Sequence, residues 1–247
     1  MNVKQNIYFL SDAHLGSPSH EDSIETERKL VCFFDQIKED AKAIYLVGDM
    51  FDYWFEYKNV VPRGFTRFLG KLSELTDSGI EVHFFIGNHD IWLTDYLQNE
   101  CGLIIHREPM TTQLNGKKFY IAHGDGLGEK SWSARMLRKI FHSQFLRFLF
   151  AGIHPRWSVG FAHKWSAHSR RTGGVSEFLG EEREFLIQYA QSKIKEEPDI
   201  DYFIFGHRHI LIDYPLPQGA HVIHLGDWMN HFSYALFDGK EVKLLSF

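Results

Sequence analysis

Residues 43–52 read AIYLVGDMFD: five apolar residues, then Gly48-Asp49, then Met50-Phe51-Asp52. A short apolar run that stops at Gly-Asp predicts a buried strand ending in a turn. Four other runs end in the same manner. Residues 7–10 end at Ser11-Asp12-Ala13-His14, and residues 81–86 lead into Gly87-Asn88-His89-Asp90. Residues 117–122 end at His123-Gly124-Asp125, and residues 202–205 at Gly206-His207-Arg208-His209. Ligands collect at strand ends along one edge of an α/β sheet.

Between these runs lie helical patterns. Residues 23–38 place Ile24, Leu30, Phe33, Phe34 and Ile37 at helical spacing, and residues 63–78 do so with Phe65, Phe68, Leu69, Leu72 and Leu75. Gly79 follows the second pattern as a stop. A third pattern, residues 180–195, closes before Pro198. Asn115-Gly116 joins two apolar runs, 110–114 and 117–122, as a hairpin. Strands are also expected at 222–225, 234–237 and 242–245, the last two joined at Asp238-Gly239. These alternations predict an α/β chain, with a mixed sheet or a sheet sandwich, forming one domain over 1–247. Residues 127–175 read as a helical insertion within it, because the strand pattern resumes afterwards.

The composition is that of an ordinary globular chain: 247 residues, 44% hydrophobic, 24% charged, 20 Gly and 7 Pro. It excludes collagen-like and disordered classes. Two cysteines, Cys32 and Cys101, cannot frame a fold and read as free thiols in a reducing compartment. The start, MNVKQNIYFLSD, lacks the pattern of a secretory signal. The apolar stretch at 145–153 is broken by Arg147 and followed by His154 and Arg156, short of the ~20 apolar residues of a membrane-spanning helix. A soluble chain, or one resting on a membrane, is expected. Charge is unevenly placed. Residues 130–176 hold nine Lys or Arg and no Asp or Glu; with −5 overall, the rest carries −14. Something anionic is expected near that segment.

The polar residues at the strand ends share a chemistry. Imidazole, carboxylate and amide oxygen suit Mn, Fe, Co or Zn, whereas Mg and Ca prefer all-oxygen shells. Asp12, His14, Asp49, Asn88, His123, His207 and His209 are seven candidate ligands, more than one ion needs and enough for two ions sharing a carboxylate. The spacing of two in Asp12/His14 and His207/His209 puts each pair on one side if the backbone stays extended. Glycines beside Asp49, Asn88, His123 and His207 leave room for tight turns and a ligand. Two ions with two aspartates leave an excess of positive charge, which favours an incoming phosphate. Such ions, about 3.5–4 Å apart, clamp the attacking and leaving oxygens of an in-line displacement. No Gly-x-Ser-x-Gly elbow offers a serine nucleophile. Gly-Asp and Gly-His pairs are also common turn chemistry, but five of them with compatible ligand types point to one site.

The ordered set Asp-x-His, Gly-Asp-x-x-Asp, Gly-Asn-His-Asp, His-Gly-Asp and Gly-His-x-His, from Asp12 to His209, resembles the calcineurin-like metallophosphoesterases. The resemblance implies a four-layer α-β-β-α sandwich. It implies one metal held by Asp12, His14, Asp49 and His209, and another by Asp49, Asn88, His123 and His207, with Asp49 bridging. It further implies His89 over the leaving group and Asp52 as its orienting partner. Within the family the chain is similar to the branch that hydrolyses the pyrophosphate of a UDP-linked diacylated sugar in lipid A biosynthesis. Residues 47–54, VGDMFDYW, and the insertion carry that likeness. It implies Mn as the usual ion and a peripheral place on the cytoplasmic face of a Gram-negative inner membrane. Better-known members have Arg where this chain has His89.

The insertion mixes Trp132, Trp157, Trp165, Phe141, Phe145, Phe148, Phe150 and Phe161 with its basic residues. Such a helix suits an anionic lipid headgroup boundary or a lipid-linked nucleotide; its aromatics would equally fill a cap's own core. Ser169, Arg170 and Arg171, with Asn88 and His89, are the expected substrate contacts. Nucleic acid is not expected, because the remaining −14 repels a duplex. A soluble nucleotide phosphodiesterase is the alternative enzyme. A non-catalytic scaffold is disfavoured because none of the seven ligands is missing.

Overall fold

A computed structural model describes residues 4–17, 23–128, 131–155, 157, 160 and 177–247. The elements run β1 (Asn6–Leu10), α1 (Ser23–Ile37), β2 (Ala41–Val47), α2 (Thr66–Asp77), β3 (Glu81–Phe85), α3 (Tyr96–Cys101), β4 (Ile104–His106), β5 (Met110–Leu114) and β6 (Lys117–Ala122). Then follow α4 (Trp132–His142), α5 (Gln144–Ala151), α6 (Phe185–Glu196), β7 (Tyr202–Phe205), β8 (Leu211–Pro215), β9 (His221–Leu225), β10 (Ser233–Phe237) and β11 (Val242–Ser246).

The strands form two mixed sheets. One has the order β11-β10-β1-β2-β3-β4 and the other β5-β6-β7-β9-β8. In the first, β1 to β4 are parallel and β10 and β11 antiparallel. In the second, β6, β7 and β9 are parallel, flanked by antiparallel β5 and β8.

Side-chain alternation builds the layers. Ile7 and Phe9 of β1, Ala43, Tyr45 and Val47 of β2, and Phe85 of β3 face Phe119 and Ile121 of β6, Ile204 of β7 and Ile223 of β9. The intervening residues, such as Tyr8, Leu10, Ile44 and Leu46, pack with Leu30, Phe33, Phe34, Phe68 and Leu72 of α1 and α2. On the second sheet, Tyr120, Phe203, Phe205 and Val222 pack with Leu186, Ile187, Ala190 and Ile194 of α6. Helix, sheet, sheet, helix is the layering expected above.

Hairpin chemistry holds where it was read. Asn115 and Gly116 have φ of 45° and 81°, the paired positive values of a type I′ turn. Asp238 accepts the backbone N–H groups of Lys240 and Glu241 in the β10–β11 loop. Two helices start later than their periodicity predicted. Phe65 takes a left-handed conformation, so α2 begins at Thr66, and α6 begins only after an extended Glu184.

Candidate metal centre

All six parallel strands that lead toward the site, β1, β2, β3, β6, β7 and β9, end at the same edge of their sheets. The loops beyond them are stitched together by backbone bonds. Asp12 N–H donates to Gly48 O (3.1 Å), His14 N–H to Asp49 O (3.0 Å), and Gly206 N–H to His123 O (3.0 Å). The extended backbone expected for the two-residue spacings does not persist. Asp12, His14, Asp49, His207 and His209 have φ between 42° and 67°. Left-handed backbone at non-glycine residues costs energy and clusters at functional sites. It turns each chain sharply, and this curl brings the side chains together.

Three clusters result, each with ligand atoms within 4.8 Å of one another: Asp12/His14/His209, His14/Asp49/His89 and Asp49/His123/His207. Asp49 joins two of them. Its Oδ2 lies 3.2 Å from His123 Nε2 and 3.9 Å from His14 Nε2, while its Oδ1 accepts His89 N–H at 2.8 Å. Asp12 Oδ1 lies 3.7 Å from His14 Nε2 and 3.4 Å from His209 Nε2; Asp12 Oδ2 accepts His207 N–H at 2.9 Å. The approach is too close for side chains on neighbouring loops. A Cβ on Gly48 would stand 2.5 Å from the His123 ring, and one on Gly87 2.2 Å from Asp49 Oδ1.

Buried polar atoms without a hydrogen-bond partner collect at this point: Asp12 Oδ1, His14 Nδ1 and Nε2, and His123 Nε2. Leaving such atoms unsatisfied costs roughly 1–3 kcal/mol each. Divalent cations would satisfy them, and imidazole with carboxylate is a suitable donor set. The electrostatics agree. Burial alone would raise Asp49, but the charges of His123 and His89 hold it well below the ordinary carboxylate range. Burial alone would lower His14, yet the carboxylates of Asp12, Asp52 and Asp49 lift it to about 9. His207 goes the other way, to about 4, through burial and the neighbouring His123 charge. The clustered histidines and carboxylates fit two metal ions.

His89 lies at the rim of the cluster, with its ring edge against His14 (4.6 Å between centroids). Its Nδ1 meets the Asp52 backbone carbonyl at 2.9 Å, whereas the Asp52 carboxylate is 3.9 Å away. Asp52 therefore meets the ring through its main chain, and its carboxylate lies between His89 and His14 (3.7 Å). Asn88 sits beside His89 on the same loop and is exposed to solvent. Ser169, Arg170 and Arg171 lie outside the described residues. The helices α4 and α5 touch the site loops. Trp92 Nε1–H donates to Phe141 O (3.0 Å), the Trp92 ring packs tilted against Phe150 (4.7 Å between centroids), and Arg138 Nε lies 3.3 Å from Asp125 Oδ2 in the His-Gly-Asp motif.

The calcineurin-like phosphoesterase family model matches residues 5–211. The chain belongs to this family. As a metallophosphoesterase it is 46% identical, over 99% of its length and 98% of the relative's, to a UDP-2,3-diacylglucosamine hydrolase of Porphyromonas gingivalis. It is 27% identical, over 97% of its length and 98% of the relative's, to a protein of the same name from Photorhabdus laumondii. Among solved structures, an archaeal phosphodiesterase aligns with a TM-score of 0.50 at 15% identity, covering 98% of this chain and 99% of that one, which supports the fold.

The sequence reading assigned no role to three residues of this phosphoesterase. Asp90 is fully buried and accepts the N–H groups of Gly87 and Met50 at 2.6 and 3.0 Å, tying the second and third motif loops together. Glu184, also fully buried, takes both Nε and Nη2 of Arg208 at 3.0 Å, anchoring the loop between His207 and His209 to the start of α6. Asp227 lies behind His209, 3.4 Å from its Nδ1. The signal for Asp227 was visible: Gly226-Asp227 follows the expected strand 222–225 just as Gly48-Asp49 follows β2.

Proposed function

We propose that this chain hydrolyses the pyrophosphate bond of UDP-2,3-diacylglucosamine, releasing UMP and 2,3-diacylglucosamine 1-phosphate, a step of lipid A biosynthesis. The observation that carries this reading is the 46% identity along nearly the whole of both chains to a protein of that name. The site supports it with a buried dimetal geometry suited to an in-line displacement at phosphorus.

In this reading Asp12, His14, Asp49 and His209 hold one divalent ion. Asp49, Asn88, His123 and His207 hold the other, with Mn as the expected metal. When bound, such ions neutralise phosphate charge and activate a water. The chain's own residues do the rest. Asp49 fixes the separation of the two ligand groups, since its Oδ2 faces both. The Asp52 carbonyl holds the His89 Nδ1–H, which turns Nε2 outward. Burial keeps that ring neutral, and an arriving phosphate favours the charged form. His89 then delivers a proton to, or hydrogen-bonds, the departing oxygen. Asn88 beside it contacts the phosphate, and Ser169, Arg170 and Arg171 contact the diphosphate or headgroup.

Residues 127–175 act as a cap on a single catalytic domain. Its described residues expose Trp132, Phe145, Phe148 and Trp157, each 69–74% accessible, beside exposed Arg135, Arg138 and Lys139. This surface suits the acyl chains of the substrate and the anionic inner leaflet, so the protein works at the cytoplasmic face of the inner membrane. The test is UMP release from UDP-2,3-diacylglucosamine by Mn-loaded protein. Turnover is expected for the unaltered chain and a loss of at least 10³-fold for Asp49→Ala, in line with removing a group essential to the reacting centre. Undiminished turnover by Asp49→Ala would sink the assignment.

A further inference from the structure

We propose that Asp227 is a positioning residue for His209, holding its ring so that Nε2 faces Asp12 as a metal ligand. The inference rests on the dimetal reading above and adds a residue outside the seven candidate ligands.

The ring of His209 is spanned by two carboxylates. Its Nδ1 lies 3.4 Å from Asp227 Oδ2 and its Nε2 3.4 Å from Asp12 Oδ1. A neutral imidazole carries one proton. With that proton on Nδ1 and donated to Asp227, the Nε2 lone pair is free toward Asp12. The neighbouring strand of the same sheet repeats the arrangement. His123 turns Nδ1 to the Val47 carbonyl at 2.9 Å and Nε2 to Asp49 Oδ2 at 3.2 Å. Two inward-facing histidines, delivered by different strands, are each backed by an acceptor at Nδ1. Partners of this kind fix ring orientation and tautomer at metal sites.

Asp227 is itself held rigidly. Its Oδ1 accepts the N–H groups of Met229 (3.0 Å), Asn230 (2.6 Å) and His231 (3.1 Å), which leaves Oδ2 to face the imidazoles and the Asn230 side-chain amide (3.4 Å). Its loop is stitched to both partners' loops. Trp228 N–H donates to Asp12 O (3.1 Å), and Gly226 N–H donates to Ile210 O (2.9 Å), next to His209. Asp227 is 1% exposed, so it neither reaches solvent nor lines the open face of the site. His231 Nδ1 approaches the same Oδ2 at 3.4 Å from the outer side.

Two substitutions separate positioning from turn-building. Asp227→Asn keeps an oxygen to accept the three backbone N–H groups but turns an NH₂ donor toward His209, which drives the ring proton to Nε2. Asp227→Ala removes both functions. Mn²⁺ affinity is read by electron paramagnetic resonance titration of the purified full chain, and the melting temperature is read on the metal-free form. Asp227→Asn is expected to weaken one of two Mn²⁺ sites by about 10–100-fold with a metal-free melting temperature close to that of the unaltered chain. Asp227→Ala is expected to lower both. Unchanged Mn²⁺ affinity in Asp227→Asn would overturn the positioning role. An unaltered chain that binds no Mn²⁺ would instead overturn the dimetal reading, and this inference with it.

Discussion

Asp49 meets the tightest geometric demands of any residue here. Its carboxylate is fixed by His89 N–H on one oxygen and faces two histidines with the other. Gly87 must lack a side chain to permit this, since a Cβ would lie 2.2 Å from Asp49 Oδ1. Gly87→Ala therefore displaces the shared carboxylate. A shift of about 1 Å is expected to cost on the order of 10²-fold in kcat, readable by steady-state UMP release, while Gly70→Ala, at an open helical position, retains activity. His89→Ala removes a proton donor or charge stabiliser and is expected to lower kcat by about 10²–10⁴-fold with Mn²⁺ affinity held within a few-fold. A comparable loss of Mn²⁺ binding would make His89 a ligand instead. Residue identity was largely legible from the chain, because ligand chemistry restricts residue types. Backbone conformation was not: the left-handed values at Asp12, His14, His207 and His209 follow from loop-to-loop bonds between distant strands, which no local pattern encodes.

The elements that read most clearly are those with a continuous apolar run ahead of a polar motif. β6 is an example: Phe119 is fully buried between the sheets, near Phe9 (5.8 Å), Tyr202 (5.0 Å) and Phe237 (5.0 Å). Phe119→Ala is expected to cost about 3–5 kcal/mol in urea unfolding, with little refilling because three rings border the void. The elements left unread were α3 with six residues, β4 with three, and β8, whose five residues end in Pro215 at a sheet edge. The first two are too short for periodicity to show, and β8, with polar Asp213 and a closing Pro215, has no apolar run to mark it. β4 nevertheless carries a titrating group. His106 Nε2 meets His83 Nδ1 of β3 at 2.9 Å, and His83 stacks on Tyr45 at 4.3 Å with Glu81 3.7 Å from its other nitrogen. Burial and the His83 charge push His106 from 6.5 to about 4. The folded state thus binds this proton less well than the unfolded chain. The stabilisation is complete above pH 6.5, falls as the pH drops through that value, and stops falling near pH 4. At pH 5 the loss amounts to at most about 2 kcal/mol. Urea unfolding at pH 7.5 and 5 should show a smaller difference for His106→Phe than for the unaltered chain; equal differences would place the pH sensitivity elsewhere.

At the scale of the whole molecule, charge and apolar exposure are segregated. The segment 130–176 carries +9 and the rest −14, and α4 and α5 expose three large aromatics, Trp132, Phe145 and Phe148, together with basic residues. No described helix is long and apolar enough to cross a membrane. Binding to the surface of vesicles containing anionic lipid is therefore expected, weakening as salt screens the basic residues. Replacing Trp132 and Phe148 together by Ser should reduce vesicle cosedimentation by on the order of tenfold or more, given the apolar area withdrawn from water, and leave hydrolysis of a short unacylated substrate analogue unchanged. The fold and the gathering of histidines and aspartates at one sheet edge were readable because they arise from repeated strand-end motifs. The way α4 meets the site was not, because Trp92 and Phe141 are joined by a side chain and a carbonyl far apart in sequence.

The central claim is that a dimetal centre and an apolar, basic surface act on one acylated nucleotide sugar. Its most direct test is kcat/KM for UMP release by the Mn²⁺-loaded chain on UDP-2,3-diacylglucosamine and on unacylated UDP-N-acetylglucosamine, measured side by side. The account predicts that the acylated compound is preferred by at least about 10²-fold, as burial of acyl methylenes contributes about 0.8 kcal/mol each. Equal or better turnover of the unacylated compound would contradict it, leaving a metallophosphoesterase of soluble nucleotides.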